Sequence, residues 1–262
     1  MNLDLTGKRA LVCGSTQGIG KAAAIELALF GADVTLVARN EEALKKTILE
    51  LDSSKKQKHS YVCADFTDPQ VLKQKVEQYI KDNGVINILV NNTGGPASGP
   101  VVNAKPEDFI NTFSNHLICN HLLVQAVVEG MKTSGYGRII NIISTSVKQP
   151  LKGLGVSNTI RAAVANWSKT LSMELGPNGI TVNNVLPGMT NTARIRSLLE
   201  TKSKNTGKSV AELEKEMLSE IPMGRIAQAN EVANAVAFLA SPAAAYISGI
   251  NIPVDGGRTS SL

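Results

Sequence analysis

An apolar run, Arg9 to Cys13, feeds directly into Gly14-Ser15-Thr16-Gln17-Gly18-Ile19-Gly20, and a helical stretch starts at once. Glycines at this spacing suit one kind of chemistry, the approach of backbone N–H groups to a phosphate. Gly14 permits a tight turn, Gly18 keeps a side chain off the path of a diphosphate, and Gly20 lets the helix sit close to the strand. The spacing is Gly-x-x-x-Gly-x-Gly, not the six-residue dinucleotide fingerprint. The preceding strand and following helix therefore carry the inference that residues Gly14, Ser15, Thr16, Gln17, Gly18, Ile19 and Gly20 cradle a nucleotide.

A second strand ends in Val37-Ala38-Arg39-Asn40. An acidic residue near this end would hold a ribose 2′-hydroxyl. Arg39 can instead pair with a 2′-phosphate, which favours NADP(H) over NAD(H), and Asn40 beside it joins the expected cofactor site. After the third strand, Asp65 and Phe66 are placed to border an adenine, Asp65 as an acceptor and Phe66 through its backbone. Asp65 fits an N-cap or a turn equally well.

Short apolar runs and helical stretches alternate to position these groups. Strands are predicted at Arg9–Cys13, Asp33–Ala38, Ser60–Ala64, Ile86–Asn91, Gly137–Ile143, Ile180–Leu186 and Ile250–Val254. Helices are predicted from Gly18 to Phe30, from Glu41 to about Leu51, after Asp68-Pro69, from Pro106 to Met131 and from Ser157 to Leu175. Runs too apolar to face water on either side imply a parallel sheet covered on both faces. The expected fold is α/β, a single-domain Rossmann-type doubly wound sheet of about seven strands over residues 1–262. Residues 192–222 break the rhythm with a polar, lysine-bearing stretch, and a substrate lid is the expectation there.

Composition fits that plan. Hydrophobic residues make up 43% and charged residues 19% of 262, with 22 glycines and only 4% aromatics. The formal charge of +5 comes largely from lysine runs such as Lys55-Lys56 and Lys202 to Lys204. No aromatic residues interleave with those lysines, so solvated faces are expected rather than nucleic-acid binding. Cys13, Cys63 and Cys119 lie apart among apolar residues and read as reduced, buried thiols of a cytoplasmic protein. The N-terminus lacks a signal-peptide plan, no stretch suits a membrane span, and three histidines without metal spacing suggest no metal site.

Together with the glycine loop, four further segments resemble the short-chain dehydrogenase/reductase family. They are Asn91-Asn92-Thr93-Gly94, Gly137 through Ser144, Asn183 through Gly188, and Ser248-Gly249 through Asp255-Gly256-Gly257. The likeness runs from Lys8 to Gly257, and its nearest scaffold is that of the 3-oxoacyl-thioester reductases. By this resemblance Asn92, Thr93, Gly94, Pro187, Gly188, Thr190 and Thr192 would also contact the cofactor. Ser144 would orient a substrate carbonyl.

The family pairs that serine with Tyr-x-x-x-Lys, the tyrosine passing a proton and the lysine holding the nicotinamide ribose. Thirteen residues after Ser144 this chain has Ser157, and four further on Arg161. A serine hydroxyl is shorter than a phenol and a far weaker acid, whereas arginine stays charged and can bond ribose hydroxyls. The family's relay asparagine falls on His116 when the helix is aligned through Gln125-Ala126, with Asn115 one residue away. Three proton sources are then open: His116, water organised by Ser144 and Ser157, and Lys148. The resemblance implies a reductase or dehydrogenase of a small carbonyl compound, working as a homodimer or homotetramer through its two long helices. The alternative is an NADP(H)-binding protein without turnover, serving as a sensor or structural subunit.

Overall fold

The computed structural model describes residues 1–261. Seven strands form one parallel sheet: β1 (Arg9–Cys13), β2 (Asp33–Ala38), β3 (Ser60–Cys63), β4 (Ile88–Asn91), β5 (Gly137–Ile142), β6 (Ile180–Pro187) and β7 (Asn251–Val254). Their order is β3-β2-β1-β4-β5-β6-β7, so the chain reverses direction across the sheet between β1 and β4. A crevice opens at the strand C-termini at such a reversal.

Successive side chains of β1 serve opposite cores. Ala10 and Val12 pack with α1 (Gly18–Leu29), α2 (Glu41–Ile48) and α9 (Ala229–Ala240). Leu11 and Cys13 pack with α3 (Pro69–Asn83), α5 (Cys119–Ser134) and α6 (Gly155–Leu175). Both sheet faces are therefore buried, as the unbroken apolar strands require. Helix α9 was not among the helices predicted from sequence, although Gln228 N–H donates to Glu231 Oε2 at 2.8 Å to start it. Residues 192–222 are not irregular. They fold as α7 (Ala193–Thr206) and α8 (Val210–Ser219), the latter opened by a Ser209–Glu212 capping box.

The predicted long helix from Pro106 is interrupted. It comprises α4 (Pro106–Phe113), a wide π turn at Ser114–Ile118, and α5. Cys13 and Cys119 are buried as predicted, whereas Cys63 at the end of β3 is only half-buried. Burial pushes both buried thiols up, Cys119 to about 12.

A row of asparagines, three of them buried, links the four strands on this side of the sheet. Asn91, Asn141, Asn184 and Asn251 are register partners across β4 to β7. Asn91 Nδ2 donates to Asn141 Oδ1 at 2.8 Å, Asn141 Nδ2 to Asn184 Oδ1 at 2.9 Å, and Asn184 Nδ2 to Asn251 Oδ1 at 2.8 Å. Asn141 Nδ2 also reaches Ser168 Oγ on α6 at 3.2 Å. Side-chain hydrogen bonds in a dry interior specify register strongly, and here they tie β5 to its neighbours and to α6, although Asn91 Oδ1 is left without a partner. Among the described residues no helix is long and apolar enough to cross a membrane.

Candidate active site

A cleft of about 730 Å³ runs along the strand C-termini, from Arg39 after β2 to Arg161 on α6 and Arg194 on α7. Its first wall is the glycine loop. Gly14 (φ +58°) and Gly18 (φ +55°) adopt left-handed backbone that favours glycine. At Gly20 an added Cβ would lie within clash distance of Gly14 O and 2.6 Å from Asn92 Nδ2. Asn92 donates from Nδ2 to the carbonyls of Cys13 (3.3 Å) and Gly14 (3.2 Å). Its amide therefore braces the loop from behind, with the residue still lining the cleft. Gln17 precedes α1 without a side-chain cap, and the first turn holds no acidic residue. The helix N-terminus is thus left with free N–H groups and its positive dipole end.

Not every residue read from this loop faces the cleft. Thr16, Gln17 and Ile19 line it. Ser15 is fully buried and directs Oγ to Val37 O at 3.4 Å, and Gly20 lies beneath in the packing of α1 on β1. At the other rim Arg39 is exposed and lines the cleft, whereas Asn40 is spent as the N-cap of α2, accepting from Ala43 N–H at 3.0 Å. Asp65 lines the cleft, and its Oδ1 accepts from Thr67 N–H at 3.0 Å. That bond, aided by Arg39, holds its carboxyl below the usual range. Phe66 borders the cleft too, but its carbonyl accepts from Cys119 Sγ at 3.2 Å.

At the far end, β5 delivers Ser144 in extended conformation ahead of a 3-10 turn at Thr145–Val147. Its Oγ accepts from Ser146 N–H at 3.1 Å. Among the described residues the hydroxyl hydrogen meets no acceptor, so it can donate into the cleft. Ser157 in the first turn of α6 and Arg161 one turn on share that wall. Arg161 is 9% exposed, and Nη1 donates to Ile142 O at 2.8 Å. Burial, reinforced by Arg194, lowers its guanidinium to about 10, so it stays charged at neutral pH.

His116, one of the three proton sources the sequence leaves open, is not among the residues that line the cleft. It is 3% exposed, and burial, then the Arg161 charge, depress its imidazole to about 2 against an opposing backbone contact with Gly94. At pH 7 the ring is neutral and holds no imidazolium proton to give. The cleft wall carries Asn115 instead. Both lie in the π turn at Ser114–Ile118. Lys148, on the loop after Ser144, is not part of the cleft lining.

The remaining predicted loop residues meet at the cleft: Thr93, Gly94, Pro187, Gly188, Thr190 and Thr192 all line it. Thr190 Oγ1 donates to Gly188 O (3.2 Å) and Thr192 Oγ1 to Thr190 O (3.3 Å), so both hydroxyls brace the turn. Gly18 faces this turn, an added Cβ lying 3.2 Å from Thr192 Cγ2. Apolar side chains of Leu151, Leu154, Ile195 and Leu198 complete the far end. Of the apolar residues on α8, Leu213 and Met217 are buried within the fold, whereas Val210 is exposed.

No other residue replaces the absent phenol. Tyr61 Oη donates to Glu41 Oε1 (2.8 Å), Tyr79 bonds Thr35 and Ser60, and Tyr136 Oη donates to Ala240 O (2.6 Å). Tyr246 is fully exposed, and no tyrosine or lysine lines the cleft among the described residues.

Comparison with known proteins places this geometry. The profile described as enoyl-(acyl carrier protein) reductase matches residues 14–259. The chain is 32% identical to the NADPH-dependent reductase BacG of Bacillus subtilis, covering 98% of this chain and 100% of that protein. It is 35% identical to the 3-oxoacyl-[acyl-carrier-protein] reductase FabG of Haemophilus influenzae, covering 97% and 98%. Among solved structures, L-sorbose reductase from Gluconobacter frateurii complexed with NADPH and L-sorbose superposes with a TM-score of 0.93 at 31% identity, over 100% of both chains.

Proposed function

The chain belongs to the short-chain dehydrogenase/reductase family, and from that premise we propose that it is an NADP(H)-dependent oxidoreductase acting on a small carbonyl compound without a tyrosine in its proton relay. The carrying observation is that Ser144, with a free O–H, and the charged Arg161 line one end of a cleft whose other end holds the glycine loop and Arg39.

The residues fit the dinucleotide. The uncapped start of α1 and the left-handed Gly14 and Gly18 suit a diphosphate, and exposed Arg39 suits a 2′-phosphate. Relatives described as NADPH-dependent or complexed with NADPH support the phosphorylated form. When bound, the nicotinamide supplies or accepts a hydride. The protein does the rest. Ser144 donates to the carbonyl oxygen and stabilises the charge that grows there. Arg161, fixed by Ile142 O, offers the remaining fork of its donors to ribose hydroxyls. The oxygen is protonated from solvent by way of the Ser144 and Ser157 hydroxyls, with Asn115 on the facing wall. Neutral His116 positions the wall rather than supplying the proton. Helix α7, packed against α8, acts as a lid, bringing Ile195 and Leu198 over the substrate.

Oxidation of NADPH with a panel of ketones, 3-oxo esters and sugars tests this reading. Turnover by the wild type, lost in Ser144→Ala with NADPH affinity retained, is the expected result. A second reading, cofactor binding without turnover, is favoured by one observation: among the described residues the cleft carries no acid that titrates near neutrality. Tight NADPH binding with no oxidation across the panel would select it.

The same proposal extends to assembly. Ile110 and Phe113 on α4 and Met173 on α6 are exposed apolar residues on the two long helical segments, and pairing of these helices in a homodimer or homotetramer would cover them. Sedimentation as a monomer at micromolar concentration would refute it.

A further inference from the structure

Four arginines line the cleft and one carboxylate does: Arg39, Arg161, Arg194 and Arg258 against Asp65. Among the described residues only Arg258 of the four forms an ion pair, bonding Glu220 with Nε 3.2 Å from Oε2, while Arg39 stands exposed at the rim with Asp65 in its neighbourhood. Arg161 and Arg194 form no ion pair among the described residues, whereas exposed Arg225 grips Glu231 with both arms, at 2.7 and 2.6 Å.

Arg194 is held in place without being neutralised. One guanidinium nitrogen donates to Pro96 O, and the group lies against Gly95, where an added Cβ would come 3.4 Å from Nη2. The loop after β4 thus fixes it at the Ser144 end of the cleft. It occupies the first turn of α7, a 14-residue helix whose N-terminus has no side-chain cap and no acidic residue. Behind it, Arg161 is nine-tenths buried with only a carbonyl for company. Arg194 is exposed, and its charge adds to the field at buried Arg161. The buried guanidinium of Arg161 is costly unless an opposite charge arrives.

We propose that the substrate is a carbonyl compound bearing a carboxylate, which Arg194 binds with its free donors while Arg161 and the α7 N-terminus add field from behind. The carbonyl then lies at Ser144, and the carbon chain against Leu151, Leu154, Ile195 and Leu198. This specifies the substrate class of the oxidoreductase reading and rests on it for turnover, though not for binding. The cofactor's own anions are served elsewhere, by the glycine loop and Arg39.

The test compares 2-oxopentanoate and levulinate with their methyl esters, which match them in shape but lack the charge. Wild type should reduce at least one acid with a kcat/KM about 10- to 100-fold above its ester, the range of a charge-assisted contact. Arg194→Gln should erase that preference through KM, leaving ester turnover and NADPH affinity within about 2-fold, and Arg194→Lys should restore part of it. Equal reduction of acid and ester overturns the proposal. So does an Arg194→Gln variant whose NADPH affinity falls as far as its acid affinity, because the anion would then be the cofactor's diphosphate. Where nothing turns over, calorimetry of each probe against the protein–NADP⁺ complex decides separately. Heat with an acid, absent with its ester and lost in Arg194→Gln, sustains the anion site while the oxidoreductase reading falls. No heat with either acid overturns the anion site.

Discussion

Arg161 Nη1 donates to the carbonyl oxygen of Ile142 at 2.8 Å, tying α6 to the end of β5 two residues before Ser144. A buried cation is thereby aimed along the edge on which the serine stands. Replacing Arg161 with Met sets two effects against each other. An unpartnered Ile142 carbonyl costs about 1–3 kcal/mol, and relief of a buried unpaired charge returns a comparable amount. We expect Tm within about 2–4 °C of wild type, the shift that a net ~1 kcal/mol gives a chain of this size. Turnover should fall about 100-fold or more. A large Tm loss with activity retained would mean that Arg161 is a structural strut and nothing else.

The proposed roles of Ser144 and Ser157 can be tested separately. Ser144→Ala removes the polarising donor, and kcat should fall by about 10²- to 10³-fold with NADPH affinity unchanged. Ser157→Tyr places a phenol one turn before Arg161, whose charge would lower the phenol pKa. Steady-state NADPH oxidation should then rise about 10-fold or more and acquire an alkaline limb absent from wild type. If Ser144→Ala turns over like wild type, the carbonyl is polarised by another group.

Arg39 has the proposed role of favouring NADPH over NADH. Exposed at the end of β2, it has no ion pair within 4 Å among the described residues to release before meeting a phosphate. Arg39→Gln should weaken NADPH about 10- to 100-fold, matching about 1.5–3 kcal/mol for hydrogen bonds to a charged group, and leave NADH within about 2-fold. Fluorescence titration of both coenzymes measures this. Equal losses for both would place Arg39 outside the 2′-phosphate site.

The legible parts of the sequence were local. Strand periodicity and the glycine loop depend on adjacent residues, so sheet, crevice and Gly14 to Gly20 could be read along the chain. Side-chain direction is not local in that sense. Ser15 and Asn40 lie where a cofactor would pass, yet Ser15 turns under β2 and Asn40 closes the first turn of α2. Asn92 braces the glycine loop across 78 residues of sequence, a contact no spacing reveals. Asn115 lines the cleft and its neighbour His116 is buried, a difference within one π turn that spacing along the chain does not reveal. Helix α9 left a usable signal in Gln228-x-x-Glu231 ahead of an alanine- and valine-rich run. The unpaired Arg194 left none, since a carboxylate partner could have come from any element.

His116 gives the fold a measurable acid sensitivity. Its imidazole is held at about 2, first by burial and next by Arg161, against 6.5 for the ordinary group. Between those values the unfolded chain binds a proton that the native chain refuses. Stability therefore rises with pH across this window and is lost as pH falls below about 6.5, at roughly 1.4 kcal/mol per pH unit once well below it. Depressed carboxyls such as Asp255 lose stability in acid as well, but they are common to any pair of variants. His116→Gln isolates the imidazole. Relative to wild type, it should gain about 2–3 kcal/mol on going from pH 7.5 to 4.5, read from urea midpoints and slopes at each pH. A difference that stays flat over this range would mean that the ring finds a way to protonate inside the native fold, and His116 would return as a proton donor beside Ser144.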